Sequence, residues 1–90
     1  MDFTYDSNKI SLLHSDGHML AEITFPDIDE NKVDINHTYV DDSLRGQGIA
    51  GQLVEAAANQ IRTQGKKAVP TCSYAADWFE RHPEYGDIVK

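Results

Sequence analysis

Alternating apolar and polar positions dominate the first 40 residues of the chain. Phe3 and Tyr5 alternate with polar neighbours, and Lys9–Leu13 is a short run that stops at residues 15–17, Ser-Asp-Gly. Asp-Gly is a strong hairpin signal because glycine accepts a positive φ. The alternation resumes over residues 19–25. This pattern predicts an antiparallel meander of three or four strands.

Residues 32–40 continue the pattern after a polar turn that begins at Pro26. Successive side chains of a strand point to opposite faces of the sheet. One predicted face carries Val33, Ile35, His37 and Tyr39, and the other carries Asp34, Asn36, Thr38 and Val40. We therefore expect His37 and Tyr39 on the same side of this strand as its apolar residues.

Helical spacing replaces the alternation after Ser43. Apolar side chains then recur with a period of about 3.6 residues. The stripe consists of Ile49, Leu53, Val54, Ala57 and Ile61. Two glycines precede the stripe, and Gly65 follows it as a C-cap. The pattern predicts a helix over residues 48–64, about 25 Å long.

The last part of the chain predicts one more strand and one more helix. Residues 67–72 are apolar-centred but contain Pro70, which has no N–H to donate and so places the strand at an edge. Ser73 can N-cap a short helix that ends before Pro83. The predicted class is α+β: antiparallel strands, a helix, a final strand parallel to its neighbour, and a short C-terminal helix.

Composition limits the domain count and the partners. With 90 residues, of which 40% are hydrophobic, the chain is expected to form a single domain over residues 1–90. Its net charge of −7 argues against nucleic acid or an anionic membrane as the main partner, because both require a basic face. The charge is uneven: residues 1–44 carry −8 and residues 45–90 carry +1. An anion should therefore bind the second half.

The lone cysteine, Cys72, cannot form an internal disulfide. The N-terminus has neither the basic nor the apolar region of a signal peptide, and no apolar run approaches the roughly 20 residues that span a bilayer. These features predict a soluble cytoplasmic protein, which we expect to be a monomer or a weak homodimer.

Residues 40–50, VDDSLRGQGIA, carry the strongest candidate chemistry. A predicted strand runs into a loop with Gly46 and Gly48, and a helix begins at once. The first-turn N–H groups of a helix have no internal partners and lie at the positive end of the dipole. Arg45 adds a fork of donors. The segment therefore predicts a phosphate or pyrophosphate site, although glycines at this spacing are also common in a simple tight turn.

These residues resemble a known family. The run from Arg45 to Ala50 fits R-x-x-G-x-A and is similar to the acetyl-CoA signature of the GNAT superfamily of N-acetyltransferases. Residues 36–83 resemble a group of very short, stand-alone GNAT-like proteins, which share H-T-Y-V, then R-G-x-G-x-A, then P-x-C-S-Y. The three linked motifs are more specific than any one alone.

The resemblance implies how acetyl-CoA would bind. Its pyrophosphate would lie on the loop and first helical turn, at Arg45, Gly46, Gln47, Gly48, Ile49 and Ala50. Its pantetheine arm would run between the strand that ends at Val40 and the strand over residues 67–72. A backbone N–H near Tyr39 or Val40 would polarise the thioester carbonyl. Lys66 and Lys67 could meet the 3′-phosphate, although solvated lysines after a helix are the commoner arrangement.

Cys72 and His37 are the candidates for covalent chemistry. They lie on the two strands expected to flank the thioester, and the resemblance implies that the matching cysteine and histidine are active-site residues. A thiol with a pKa near 8.5 needs an activator, for which a histidine in hydrogen-bond reach is usual. The alternatives are a small buried hydrophobe for Cys72 and a packed strand residue for His37.

The expected function is acetyl transfer from acetyl-CoA to an amine of unknown identity, either through Cys72 or by direct attack. The alternative is a CoA-binding or interaction module without turnover. His14 and His18 flank the Asp-Gly turn, and together with Asp16 they suggest a metal. No metal site is predicted, however, because the sequence shows no paired spacing of these residues on a rigid element.

Overall fold

Two sheets and two α-helices make up the computed structural model, which describes residues 2–89. The strands are β1 (Thr4–Asp6), β2 (Lys9–Leu13), β3 (Met19–Thr24), β4 (Lys32–Ile35), β5 (His37–Val40) and β6 (Lys67–Pro70). The helices are α1 (Ile49–Thr63) and α2 (Ser73–Arg81), with short 3₁₀ turns at Asp42–Leu44 and Pro83–Tyr85. The predicted α+β class and the order of its elements are confirmed.

The larger sheet is the predicted antiparallel meander, with strand order β1-β2-β3-β5. The smaller sheet pairs β4 with β6 in parallel, from Lys32 opposite Lys67 to Ile35 opposite Pro70. The predicted parallel partner of the final strand is therefore β4. Because β4 leads directly into β5, one stretch of chain contributes to both sheets.

The prediction of one continuous strand over residues 32–40 is wrong at Asn36. His37 lies opposite Thr24 in the register, and the Asn36 N–H also donates to the Thr24 carbonyl at 3.3 Å. Two residues thus face one, which is the geometry of a β-bulge. The extra residue reverses the alternation of side chains: Val33 and Ile35 are buried, whereas His37 is exposed.

The helix α1 covers the core face of the larger sheet. All five residues of the predicted stripe are buried, together with Ala58. They pack in one cluster with fully buried side chains of the strands, among them Ile10, Ile23 and Ile35, and with Phe25 just after β3. Gly48 is the N-cap of α1 and Gln64 its C-cap. Gly65 follows with φ +72°, a conformation that favours glycine.

The second helix begins one residue earlier than its predicted cap implies. Ser73 is its first helical residue, and Cys72 occupies the N-cap position with extended backbone angles. His82 ends the helix before Pro83, as predicted. Among residues 2–89, neither helix combines the length and the apolar character needed to cross a bilayer.

Candidate functional site

A 3₁₀ turn connects β5 to the glycine loop. The Asp41 carboxylate accepts hydrogen bonds from the Ser43 N–H at 3.0 Å and from the Ser43 hydroxyl at 2.6 Å, and these bonds fix the turn. They are also the main reason why the pKa of Asp41 is lowered. Gly46 and Gly48 then adopt φ values of +79° and +73°. Such left-handed angles are accessible to glycine at little cost, so both glycines are required by the turn.

The loop and the start of α1 enclose an open groove of about 240 Å³. The lining residues are Val40, Leu44, Arg45, Gly46, Gly48, Ile49 and Ala50. A Cβ atom built on Gly48 would meet no protein atom within 4 Å, so the space beside its backbone is open. Gly48 has no side chain to cap α1, and residues 49–51 carry no acid. The groove therefore lies at the positive end of α1.

Six of the eight predicted cofactor residues line this groove, and two do not. Gln47 donates its N–H to the Leu44 carbonyl at 3.3 Å, inside the turn. Tyr39 lies on the sheet face away from the core, where its hydroxyl donates to Asp41 at 3.3 Å. Desolvation and the Asp41 charge raise the pKa of Tyr39. Leu44 lines the groove but was not predicted from the sequence.

Within residues 2–89, strand β5 has an unpaired edge where the two sheets separate. It is the last strand of the larger sheet, and the β4–β6 pairing stops at Ile35 and Pro70. Asp41 donates its N–H to the Leu20 carbonyl of β3 at 2.7 Å. Every second N–H of a strand points the same way, so the N–H groups of Tyr39 and His37 also face β3. The N–H groups of Thr38 and Val40 therefore point to the open edge. The predicted oxyanion donor can be Val40 but not Tyr39.

Cys72 lies at this opening. Its N–H donates to the Ile35 carbonyl at 3.0 Å, which extends the β4–β6 pairing by one step. Its Sγ lies 3.7 Å from the Thr38 hydroxyl oxygen. Burial raises the pKa of the Cys72 thiol, but the Ala75 and Tyr74 N–H groups at the start of α2, with the hydroxyl and N–H of Thr38, outweigh it. The net result is a pKa below the ordinary value, which favours the thiolate.

The predicted pairing of Cys72 with His37 is wrong. Because Thr38 faces Cys72 across the core side of β5, its neighbour His37 faces the opposite side. There the His37 Nε2 lies 3.5 Å from a carboxylate oxygen of Glu22. The bulge at Asn36 causes this reversal. Sequence reasoning missed Thr38 as the neighbour of Cys72, because no local pattern reveals a bulge.

The two lysines after α1 lie too far away to bind a 3′-phosphate beside the groove. They follow the C-terminus of α1, and a 15-residue helix separates them by roughly 20 Å from its N-terminus. Lys66 instead donates to Asp27 at 2.8 Å, which lowers the pKa of that carboxyl, and Lys67 donates to the Asp87 carbonyl. Both lysines therefore have structural partners.

Comparisons with solved structures agree with this geometry. A GCN5-like protein from Staphylococcus aureus is 31% identical, with a TM-score of 0.81 over 99% of this chain and 87% of that one. The GNAT family N-acetyltransferase YhbS from Escherichia coli, solved in complex with CoA, is 21% identical, with a TM-score of 0.65 over 87% of this chain and 44% of that one. At that identity the second likeness shows the fold alone.

The fold, with its glycine loop and separated strands, places the protein in the class of GNAT-like domains. The chain belongs to the GCN5-related N-acetyltransferase family, whose model matches residues 9–88. Protein NATD1 of Xenopus tropicalis is 33% identical over 66 residues, which is 73% of this chain and 61% of that protein. The chain thus spans about three fifths of the length of that relative. Acetyl-CoA is the cosubstrate of the family.

Proposed function

We propose that this chain binds acetyl-CoA and transfers its acetyl group to an amine. One observation carries the proposal: a glycine-lined groove at the N-terminus of α1 adjoins the unpaired edge of β5, and both occur in a chain that belongs to an acetyltransferase family. The groove offers backbone donors and the Arg45 guanidinium to a pyrophosphate. The open edge offers room for an extended arm beside Val40.

Arg45 is arranged to add charge without blocking the groove. Its guanidinium lies 3.0 Å from the Asp42 carboxylate, three residues earlier in the chain, and both side chains are more than 80% exposed. Because the pair is solvated, exchanging Asp42 for a phosphate costs little. We infer that Arg45 turns to the pyrophosphate while the Gly46 and Gly48 backbone approaches it closely.

The acetyl group can reach the amine by two routes. In direct transfer, the neutral amine attacks the thioester carbonyl, the carbon–sulfur bond breaks, CoA leaves as a thiolate, and the amine proton passes to that thiolate. In the covalent route, the Cys72 thiolate attacks the thioester carbonyl, the bond to the CoA sulfur breaks, and CoA leaves as a thiolate. The amine then attacks the acetyl-enzyme, the bond to the Cys72 sulfur breaks, and the amine proton passes to a thiolate. In both routes the Val40 N–H would stabilise the developing oxyanion.

The environment of Cys72 supports the covalent route. Its lowered pKa and its position at the open edge supply a nucleophile without a histidine partner. His37, on the other side of β5 beside Glu22, is then available only as a base for the incoming amine. This role replaces the one that the sequence suggested for it.

Mass spectrometry of the intact protein tests both the function and the route. With acetyl-CoA and no amine, we expect one acetyl group on the parent protein and none on Cys72→Ser, which should still bind CoA. Acetylation of an amine by the parent would establish the transferase. Full transferase activity in Cys72→Ala without any adduct on the parent would exclude the covalent route. CoA binding with neither adduct nor product would indicate a binding module.

A further inference from the structure

The tip of the β2–β3 hairpin brings three metal-binding side chains together. His14 donates its N–H to the His18 carbonyl at 2.8 Å, and Gly17 donates to the His14 carbonyl at 2.8 Å. Gly17 has φ +95°, as a three-residue hairpin loop requires at its last position. His14 and His18 are therefore cross-strand neighbours with side chains on the same face. The turn supplies the rigid spacing that the sequence alone did not indicate.

Asp16 folds back between the two histidines. One of its carboxylate oxygens lies 2.7 Å from the His18 Nδ1 and 3.2 Å from the His14 Nδ1. The same oxygen accepts the His18 N–H at 3.0 Å, which fixes its direction. The imidazole rings face each other with centroids 5.0 Å apart. One donor atom from each of the three residues lies within 4.8 Å of the other two.

We propose that His14, Asp16 and His18 form a binding site for a divalent transition-metal ion, of which Zn²⁺ is the representative. Two imidazole nitrogens and one carboxylate oxygen are a donor set that suits zinc, with water as the fourth ligand. Metal–ligand bonds of about 2.0–2.1 Å place tetrahedral donors about 3.3 Å apart. The separation from Asp16 to His14 is close to that value, the one to His18 is shorter, and the two histidine donors lie within 4.8 Å of each other, so side-chain adjustments are enough to form the site.

Protons and one backbone hydrogen bond compete with the metal. The His14 Nδ1 accepts the Asp16 N–H at 3.2 Å, so its lone pair already points into the turn, and the metal would replace this bond. The charged groups that face these two histidines are the carboxylate of Asp16, which contacts both, and the carboxylate of Asp41, which interacts electrostatically with His18. Metal binding uses the lone pairs of the imidazole nitrogens, so protons compete with the metal for this site.

Calorimetric titration of the metal-free 90-residue chain with Zn²⁺ at pH 7.5 tests the site. We expect one Zn²⁺ per chain, and no heat from Mg²⁺, which prefers oxygen ligands. We expect Zn²⁺ affinity to fall by at least about tenfold in each of three variants, His14→Ala, His18→Ala and Asp16→Asn. Loss of a residue that only hydrogen-bonds to a metal ligand already lowers affinity by about that factor. His37→Gln and Cys72→Ser, which remove other potential ligands, should bind as the parent does.

The proposal is overturned if the parent takes up no Zn²⁺, or if the double variant of His14 and His18 binds it as tightly as the parent. Substoichiometric Co²⁺ provides a test without mutation, because its paramagnetism broadens nearby amide resonances. Broadening confined at first to residues 14–18 would support the site even where a variant fails to fold. Broadening centred on His37 or Cys72 would contradict it.

Discussion

At the scale of single residues, the reactivity of the Cys72 thiol depends on the groups around its sulfur. Its sulfur meets Thr38 and the first N–H groups of α2, and together these lower its pKa despite burial. Because Cys72 is the N-cap of α2, the positive end of that helix adds to the effect. The Ala75 N–H lowers the pKa of the thiol most, and Thr38 also lowers it, through a side chain that can be substituted.

Replacing Thr38 should therefore make Cys72 less reactive near neutral pH. Thr38→Val keeps the shape of the side chain but removes the hydroxyl, so the pKa of Cys72 should rise. The rate of alkylation by iodoacetamide, measured against pH, should reach half its maximum at a higher pH than in the parent. The matched control is Thr63→Val, at the C-terminal end of α1, which should leave the profile unchanged. Identical profiles for all three proteins would refute the role of Thr38.

Gly48 is the residue on which the cofactor groove depends most directly. Gly48→Ala should weaken CoA binding, because the added Cβ enters the open space beside the backbone. It should also cost about 1–2 kcal/mol of stability from the left-handed φ. Gly65→Ala is the matched control, since Gly65 has nearly the same φ and equally open surroundings.

A thermal-shift titration with CoA separates these two effects. Both alanine variants should melt several degrees below the parent, at about 4–8 °C per kcal/mol. CoA should raise the melting temperature of Gly65→Ala by as much as it raises that of the parent, and that of Gly48→Ala by less. The reason is that the stabilisation given by a ligand depends on its affinity. An undiminished CoA shift in Gly48→Ala would mean that the ligand lies elsewhere.

At the scale of elements, local patterns predicted the helices and strands but not how the strands meet. The stripe from Ile49 to Ile61 and the Asp-Gly turn act within a few residues, so the sequence displays them. The bulge at Asn36 depends on the Thr24 carbonyl, which is 12 residues away in the chain. That single contact reverses the faces of His37 and Thr38, and with them the predicted partner of Cys72.

The link between α1 and the C-terminal segment makes a pH-dependent contribution to stability. Arg62 donates to Asp87 at 3.0 Å through Nε and to the Glu84 carbonyl at 3.1 Å, and its guanidinium lies over the Tyr85 ring. The hydrogen bonds from Arg62 lower the pKa of Asp87 below the ordinary value of a carboxyl group. A carboxyl with a depressed pKa stabilises the fold above its unfolded pKa, and this contribution is lost as the pH falls through the folded value.

Asp87→Asn should therefore lower the melting temperature modestly at pH 7, because the pair is partly exposed and screened by solvent. The difference from the parent should shrink as the pH is lowered below about 4. Melting curves from pH 7 to pH 3 measure this. Asp77→Asn, which disrupts an exposed pair with Arg81 within α2, controls for the loss of one charge. A gap between parent and Asp87→Asn that stays constant to pH 3 would contradict the assignment.

At the scale of the whole molecule, the groove for an anionic ligand lies mainly in the half of the chain that is not acidic. The acidic first half supplies most of the sheets, and the near-neutral second half supplies the groove from Arg45 onward. The sequence revealed this division because charge counts need no structure. It did not reveal that Lys66 pairs with Asp27 or that Lys67 donates to the Asp87 carbonyl, since both partners come from distant parts of the chain.

This distribution predicts a weak salt dependence of CoA binding. The net charge of −7 repels an anionic ligand over long range, whereas the α1 dipole, the loop N–H groups and Arg45 attract it at contact. Salt screens both, with a Debye length of about 10 Å at 0.1 M and about 3 Å at 1 M. Because the two screened terms have opposite signs, they largely cancel. CoA affinity should therefore change only modestly between these concentrations.

Calorimetry across that range, on the parent and two variants, measures the effect. Arg45→Gln should lose affinity at every salt concentration, because it removes a donor at the groove. Lys67→Gln, which removes one charge at the far end of α1, should change neither the affinity nor its salt dependence. A steep loss of affinity with salt that Lys67→Gln reduces would show that distant lysines attract the ligand, and the groove beside Gly48 would then not be its principal site.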